Sequence, residues 1–160
     1  MDTNTWQELV FHNTVRREMG VTMDADATVR NVEAVHTALL IEDNADVAYL
    51  LQYMLQRDGY AVQALTNGRD AQKYISESAP TDVVILDLML PYIDGFELLA
   101  QIRESSGWRR VPVVVISGKV AEQDIVRAIE LGADDYVTKP YKPLELSARI
   151  RRCAANVKKR

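Results

Sequence analysis

The sequence predicts a doubly wound α/β domain, a five-stranded parallel sheet with helices on both faces. Five short apolar runs alternate with five segments of helical periodicity, the pattern that parallel strands joined by crossover helices produce. The runs TALLI, VVIL and VVVI are apolar throughout, as strands covered on both faces must be. The run Val83–Leu86 then ends on Asp87, a charge that is costly at the end of a buried strand unless something at the sheet edge uses it. Right-handed crossovers leave few topologies. The flavodoxin-like order 2-1-3-4-5 brings the carboxyl ends of strands 1, 3, 4 and 5 to one crevice, where ligands of such sheets bind.

Residues 1–35 read as an N-terminal extension. Thr5-Trp6-Gln7-Glu8 fits a capping box, and Trp6, Leu9 and Val10 follow at helical spacing. A short helix to about Met19 is expected, with irregular chain after Gly20. Regular patterning occupies 36–156. Thr37–Ile41 is the first strand and ends on Glu42-Asp43. Asn44 or Asp46 caps a helix whose apolar stripe is Val47, Leu50, Leu51, Met54 and Leu55. Asp58-Gly59 stops it before the second strand, Tyr60–Ala64. Thr66-Asn67-Gly68 turns into a helix through Ala71, Tyr74 and Ile75, stopped near Pro80. The third strand runs into Asp87. Asp94-Gly95 opens a helix with Phe96, Leu98, Leu99 and Ile102 inward. Val113–Ile116 is the fourth strand, followed by Ser117-Gly118. Ile125, Val126 and Ile129 mark the next helix, ended by Gly132. Asp135–Thr138 is the fifth strand, followed by Lys139-Pro140, and Pro143 opens a last helix with Leu144, Leu146, Ala148 and Ile150. Residues 157–160 form a basic tail or the start of a linker.

With 160 residues, 48% hydrophobic and 26% charged, the chain has the composition of an ordinary globular protein with a sizeable core. No apolar run reaches the roughly 20 residues of a membrane span, and no signal peptide is evident. The single cysteine, Cys153, reads as a small helix filler, and a cytoplasmic location fits. Residues 1–36 carry six acids and three bases, residues 37–148 seventeen acids and ten bases, and residues 149–160 six bases and no acid. That basic end reads as a solvated helix end, favourable to the helix dipole, in preference to a nucleic-acid patch.

The predicted strand ends gather Glu42, Asp43, Asp87, Ser117 and Lys139 at one edge. Taken singly, each reads as a loop or cap residue; four strands each delivering such a group do not. Clustered carboxylates repel, and a hard divalent cation relieves them. Oxygen donors with room for water suit Mg²⁺. A cation beside a lysine and a hydroxyl is also an arrangement for holding a phosphoryl group. Asp87 is the natural acceptor, since an aspartate is ionised at neutral pH and needs no base.

These residues stand in motifs that resemble the receiver domain of two-component response regulators over about His36 to Ala155. They are Ile41-Glu42-Asp43-Asn44, Leu86-Asp87-Leu88-Met89-Leu90-Pro91 with Asp94-Gly95, Val115-Ile116-Ser117-Gly118, and Gly132 through Pro140. The spacings fit as well: 44 residues from Asp43 to Asp87, 30 on to Ser117 and 22 on to Lys139. The resemblance implies that Asp87 is the phosphoacceptor. Glu42, Asp43, Asp87 and the backbone carbonyl of Met89 would hold Mg²⁺. Ser117 and Lys139 would contact the phosphoryl oxygens, Tyr136 would be the switch aromatic, and the Lys139-Pro140 bond would be cis. Glu42-Asp43 replaces the commoner Asp-Asp pair, Gly118 stands where alanine is usual, and Met89 and Lys119 occupy positions that tune phosphate lifetime.

The implied donor is a sensor histidine kinase or a phosphotransfer protein, and the implied output is changed protein binding. Within the family, the chain is similar to the winged-helix transcription factor subgroup. That implies a homodimer through the fourth helix, fifth strand and fifth helix, with Asp134, Asp135, Glu145 and Arg149 in its charged set. Ile125, Leu131 and Asn156 stand where that set carries charges. DNA would be contacted only through an effector domain outside these residues, whether the domain acts alone or as the regulatory piece of a longer protein. Two other readings remain. A receiver-like interaction module working without phosphorylation would fail to bind Mg²⁺. A phosphohydrolase with an aspartyl nucleophile, of the haloacid dehalogenase type, expects a second aspartate where this chain has Met89. A nucleotide or flavin domain is weaker, since no Gly-rich loop follows the first strand.

Overall fold

The computed structural model describes residues 36–157. The expected helix between Thr5 and Met19 and the linker start near Lys158 lie outside the described residues. Strands β1 (His36–Ile41), β2 (Tyr60–Leu65), β3 (Val83–Leu86), β4 (Val113–Ser117) and β5 (Asp135–Thr138) alternate with helices α1 (Ala45–Arg57), α2 (Gly68–Glu77), α3 (Gly95–Glu104), α4 (Glu122–Glu130) and α5 (Pro143–Val157). All pairings are parallel, in the order β2-β1-β3-β4-β5, as the sequence predicts.

The central strands β3 and β4 are buried at every position and the edge strands are not, which matches their runs of branched residues. Alternation sends Leu39, Ile41, Val84, Leu86, Val113 and Val115 into one core with Ala71, Ile75, Phe96, Leu99 and Ala128 of α2, α3 and α4. The other core joins Leu40, Ile85, Val114 and Ile116 to Leu51, Leu55, Leu146 and Ile150 of α1 and α5. Three helices start on a side-chain cap. Asn44 Oδ1 accepts from Asp46 N (3.0 Å) and Val47 N (3.1 Å), Asn67 Oδ1 from Asp70 N (2.9 Å), and Asp94 Oδ1 from Glu97 N (3.0 Å).

Several expectations need correction. Leu50 is 65% exposed, because α1 packs through Leu51, Met54 and Leu55 and Leu50 falls beyond that stripe. On α4, Val126 and Ile129 are exposed and Ala128 is the buried residue; the helix packs beside an edge strand and buries a narrow face. Leu144 and Ala148 of α5 are exposed, while Leu146, Ile150 and Cys153 face the core. The basic end of α5 is also more than solvated. Arg149 and Arg152 reach Asp135 at 3.2 and 2.8 Å, and Arg151 reaches Asp58 at 3.1 Å.

Arg103 of α3 clamps a corner that the sequence does not mark. Its Nε and Nη2 donate to Gly132 O (2.9 and 2.7 Å), Nη1 to Val111 O (2.8 Å), and Nη2 to Asp134 Oδ2 (2.9 Å). Gly132 has φ of 100°, and a Cβ there would lie 2.9 Å from Arg103 Nε, so glycine is required both by the backbone and by the clamp. Arg103→Ala leaves two carbonyls and a carboxylate short of donors, and it is expected to lower stability in urea unfolding by about 2–3 kcal/mol. Arg103→Lys should recover less than half of that, since an ammonium cannot reproduce the planar fork.

Candidate functional site

Strand register brings the carboxyl edge together. Ile41 pairs with Leu86, so Glu42 and Asp87 are the next residues on adjacent strands. Leu86 pairs with Val115, and Ser117 with Thr138, so Ser117 and Lys139 arrive at the same edge. Glu42 and Asp87 are buried, at 1% and 3% exposure, and Asp43 is exposed. Each of the three offers an oxygen within 4.8 Å of the others. The Lys139 ammonium bridges the two buried carboxylates, donating to Asp87 Oδ2 at 2.6 Å and Glu42 Oε2 at 2.7 Å. Met89 N donates to Asp87 Oδ1 (2.9 Å), and Asn44 N to Glu42 Oε1 (3.3 Å). The Lys139-Pro140 peptide is cis, as the resemblance implies.

Gly95 is what lets α3 begin against this site. Its N–H donates to Leu88 O (3.0 Å), and a Cβ would stand 2.4 Å from Asp87 O. No side chain fits there, so the residue after the Asp94 cap must be glycine for α3 to lie so close to the acceptor strand.

Burial pushes the Glu42 carboxyl up; the Lys139 hydrogen bond opposes this, and Asp87 reinforces it. Burial pulls Lys139 down, but its hydrogen bonds to Asp87 and Glu42 outweigh that, and the ammonium titrates above its usual range. Ser117 is fully buried, and its Oγ accepts from Lys119 N (3.3 Å), leaving its own hydrogen free to donate. Tyr136 is half-buried, with its hydroxyl donating to Lys119 O (2.8 Å), and burial raises its phenol. Tyr141, which stands in no motif, packs half-buried on the second core with its phenol raised chiefly by burial.

Three carboxylate donors, a paired ammonium and a buried hydroxyl make a site for a divalent cation and a phosphoryl group together. The charged residues expected at a dimer interface also make pairs within the chain. Asp134 bonds Arg103 and Val113 N (2.9 Å each), Asp135 pairs with Arg149 and Arg152, and Glu145 pairs with Arg149 at 2.9 Å.

Residues 38–151 match the family model for the response regulator receiver domain. The chain belongs to that family. This receiver domain is therefore a module of two-component signalling, a family whose standard role is phosphorylation-based switching. It is 42% identical over 113 residues to the regulatory protein VanRc of Enterococcus gallinarum, covering 71% of this chain and 47% of that protein. It is 40% identical over 113 residues to the alkaline phosphatase synthesis transcriptional regulatory protein PhoP of Bacillus subtilis (strain 168), covering 71% and 46%. The chain thus spans about half the length of the curated relatives it matches.

Among solved structures, the receiver is similar to that of a signal transduction histidine kinase from Syntrophus aciditrophicus (TM-score 0.71, 31% identity, 78% of this chain and 94% of the other). It is also similar to the receiver domain of a sensor histidine kinase from Pseudomonas aeruginosa PAO1 (TM-score 0.69, 29% identity, 76% and 99%), in which a magnesium ion is coordinated in the active-site cleft. No helix among the described residues is long and apolar enough to cross a membrane.

Proposed function

We propose that this receiver accepts a phosphoryl group on Asp87, with Mg²⁺ as cofactor, from a sensor histidine kinase or a phosphotransfer protein in the cytoplasm. The observation that carries this is the Lys139 ammonium held between Asp87 and Glu42 beside Asp43. Glu42, Asp43, Asp87 and the Met89 carbonyl would hold the ion. When bound, Mg²⁺ offsets negative charge among these oxygens and on the incoming phosphoryl group. Asp87 attacks phosphorus with a carboxylate oxygen; the bond from phosphorus to the donor's imidazole nitrogen breaks, and an acyl phosphate forms. Lys139 then shifts a hydrogen bond from Asp87 to a phosphoryl oxygen, and Ser117 turns its free O–H to another. Because the Ser117 hydroxyl and the Tyr136 hydroxyl meet the same residue, Lys119, the two would move together as the switch. The receiver thus catalyses its own phosphoryl transfer and loss.

Incubation with Mg²⁺ and acetyl phosphate tests this. Intact mass should rise by one phosphoryl group, the adduct should be lost in alkali, and EDTA should prevent it. Absence of labelling together with absence of Mg²⁺ binding would favour an interaction module that works unphosphorylated.

The site also sets a pH dependence. In metal-free protein Glu42 has a raised pKa, so the folded state binds its proton more tightly than the unfolded state. Its contribution is most favourable below the unfolded value of 4.5 and declines as pH rises toward the folded value. Lys139, also raised, stabilises below its unfolded value of 10.5, and that support is lost as pH rises through the folded value. A protonated Glu42 is a poor ligand. The Tm increase on adding Mg²⁺ should therefore be larger at pH 7.5 than at pH 5, and equal increases at both would mean that Glu42 is either ionised at pH 5 or outside the ligand set.

A homodimer through α4, β5 and α5 is a second reading, supported by exposed Val126 and Ile129 on α4 and Leu144 on α5. Its ion pairs would have to be exchanged for the intrachain pairs of Asp135, Glu145 and Arg149. Asp134, bound to Arg103 and Val113 N, would stay out of it. Likeness to PhoP supports transcription as the output of a longer protein.

A further inference from the structure

Helix α4 is held to the domain by little. Its cap position, Ala121, supplies no side-chain bond, and Ala128 is its buried residue. Val126 and Ile129 are 45% and 56% exposed. An element packed so lightly belongs to the low-stability end of a fold. One aromatic ring links it to the acidic edge. Phe96, in the first turn of α3, is 2% exposed, and two cations lie over it. The Arg127 guanidinium of α4 stands 4.2 Å from the ring centroid and the Lys119 ammonium 5.4 Å. Lys119 also stands 3.6 Å from Asp124 of α4. Its backbone belongs to the switch, since its N–H donates to Ser117 Oγ and its carbonyl accepts from Tyr136.

We propose that Phe96, gripped by Arg127 and Lys119, is the latch through which Ser117 and Tyr136 set the position of α4. Its trigger rests on Asp87 as phosphoacceptor, but the grip belongs to the unphosphorylated chain and can be tested there. When the Ser117 side chain swings its Oγ toward a phosphoryl oxygen, the long Lys119 N–H bond to that Oγ (3.3 Å) is stretched or broken and the Lys119 segment is free to shift. The ammonium over Phe96 and beside Asp124 moves with it, leaving Arg127 as the remaining cation on Phe96. Phe96 and Arg127 are positioning residues; neither touches the acceptor.

Hydrogen exchange on the full chain tests the latch, with and without Mg²⁺ and beryllium fluoride as the phosphoryl mimic. Arg127 is exposed, so Arg127→Gln should leave the core intact. In the unliganded protein, α4 amides should exchange about two- to five-fold faster in Arg127→Gln, the fold-change for a lost exposed cation–π contact. In Arg127→Gln the β1 and β3 amides should keep wild-type protection. Phe96→Leu, a core substitution, should lower protection on α4 by more than the uniform loss its β1 and β3 amides report. Glu130→Gln, on the same helix, should change nothing. Wild-type α4 protection should change on adding the mimic, and the change should be smaller in Arg127→Gln. Unchanged α4 exchange in Arg127→Gln, or faster exchange spread evenly over the whole domain, would overturn the latch. A wild-type chain that ignores the mimic would count against Asp87 as acceptor, and the latch is then decided by the unliganded comparison.

Discussion

Asp87→Asn takes up no phosphoryl group from acetyl phosphate and Mg²⁺, where the wild-type chain gains one. The amide keeps the shape of the side chain and loses its charge and nucleophilicity, so the loss should be complete by intact mass. The neighbouring groups are poor substitutes. Glu42 is held by Lys139 and Asn44 N, and Ser117 has no general base beside it among its observed contacts. The variant should also be at least as stable as the wild type in metal-free buffer. It removes one of two buried carboxylates that share a single ammonium. Lost labelling in a protein whose Tm has not fallen cannot be put down to unfolding. Labelling that persists would move the acceptor elsewhere.

Lys139→Ala is expected to cost about 3 kcal/mol at pH 7.5 without metal. Removing one partner of a buried pair costs about 3–5 kcal/mol, and the lower end applies because Lys139 is itself 24% exposed. What remains is two carboxylates at 1% and 3% exposure with no cation between them. The cost should shrink toward pH 5, as Glu42, already raised by burial, takes up a proton. Mg²⁺ should restore part of it at neutral pH, by supplying the missing positive charge. Phosphoryl uptake should fall steeply even when Mg²⁺ restores the stability. Urea unfolding at the two pH values, with EDTA or Mg²⁺, measures each part; a cost below about 1 kcal/mol at both would mean that the bridge contributes little.

Much of this was readable in the chain because the information is local. A parallel strand buried on both faces must be apolar along its whole length, and the residue that ends it must lie at the edge. Asp87 after Val83–Leu86 and Ser117 after Val113–Ile116 therefore declared their place without coordinates. The caps at Asn44, Asn67 and Asp94 were equally local, since each bonds amides two or three residues ahead.

Contacts between distant segments were not readable. Arg103 looks like any surface arginine of a helix until Gly132 and Val111 arrive beside it. Trp108 sits in a connection with no periodicity, yet it is 2% exposed and packs edge-on against Tyr74. Leu50, Val126 and Leu144 are apolar at plausible helical spacing, and only the neighbours of each helix decide which side is covered. The charges of Asp134, Asp135, Glu145 and Arg149 matched an interface pattern by type, while folding gave each a partner inside the chain.

Periodicity and strand ends, which depend on near neighbours, were enough for the alternation of strands and helices, the residues that end each strand and the class of chemistry they suit. The order 2-1-3-4-5 was a choice among doubly wound topologies that the strand pairing bears out. The tertiary structure alone decided that Lys139 bridges Glu42 and Asp87, that Arg103 locks the corner at Gly132, and that Phe96 carries two cations. Each of those joins residues far apart in the chain, and no local pattern records which of many like residues will meet.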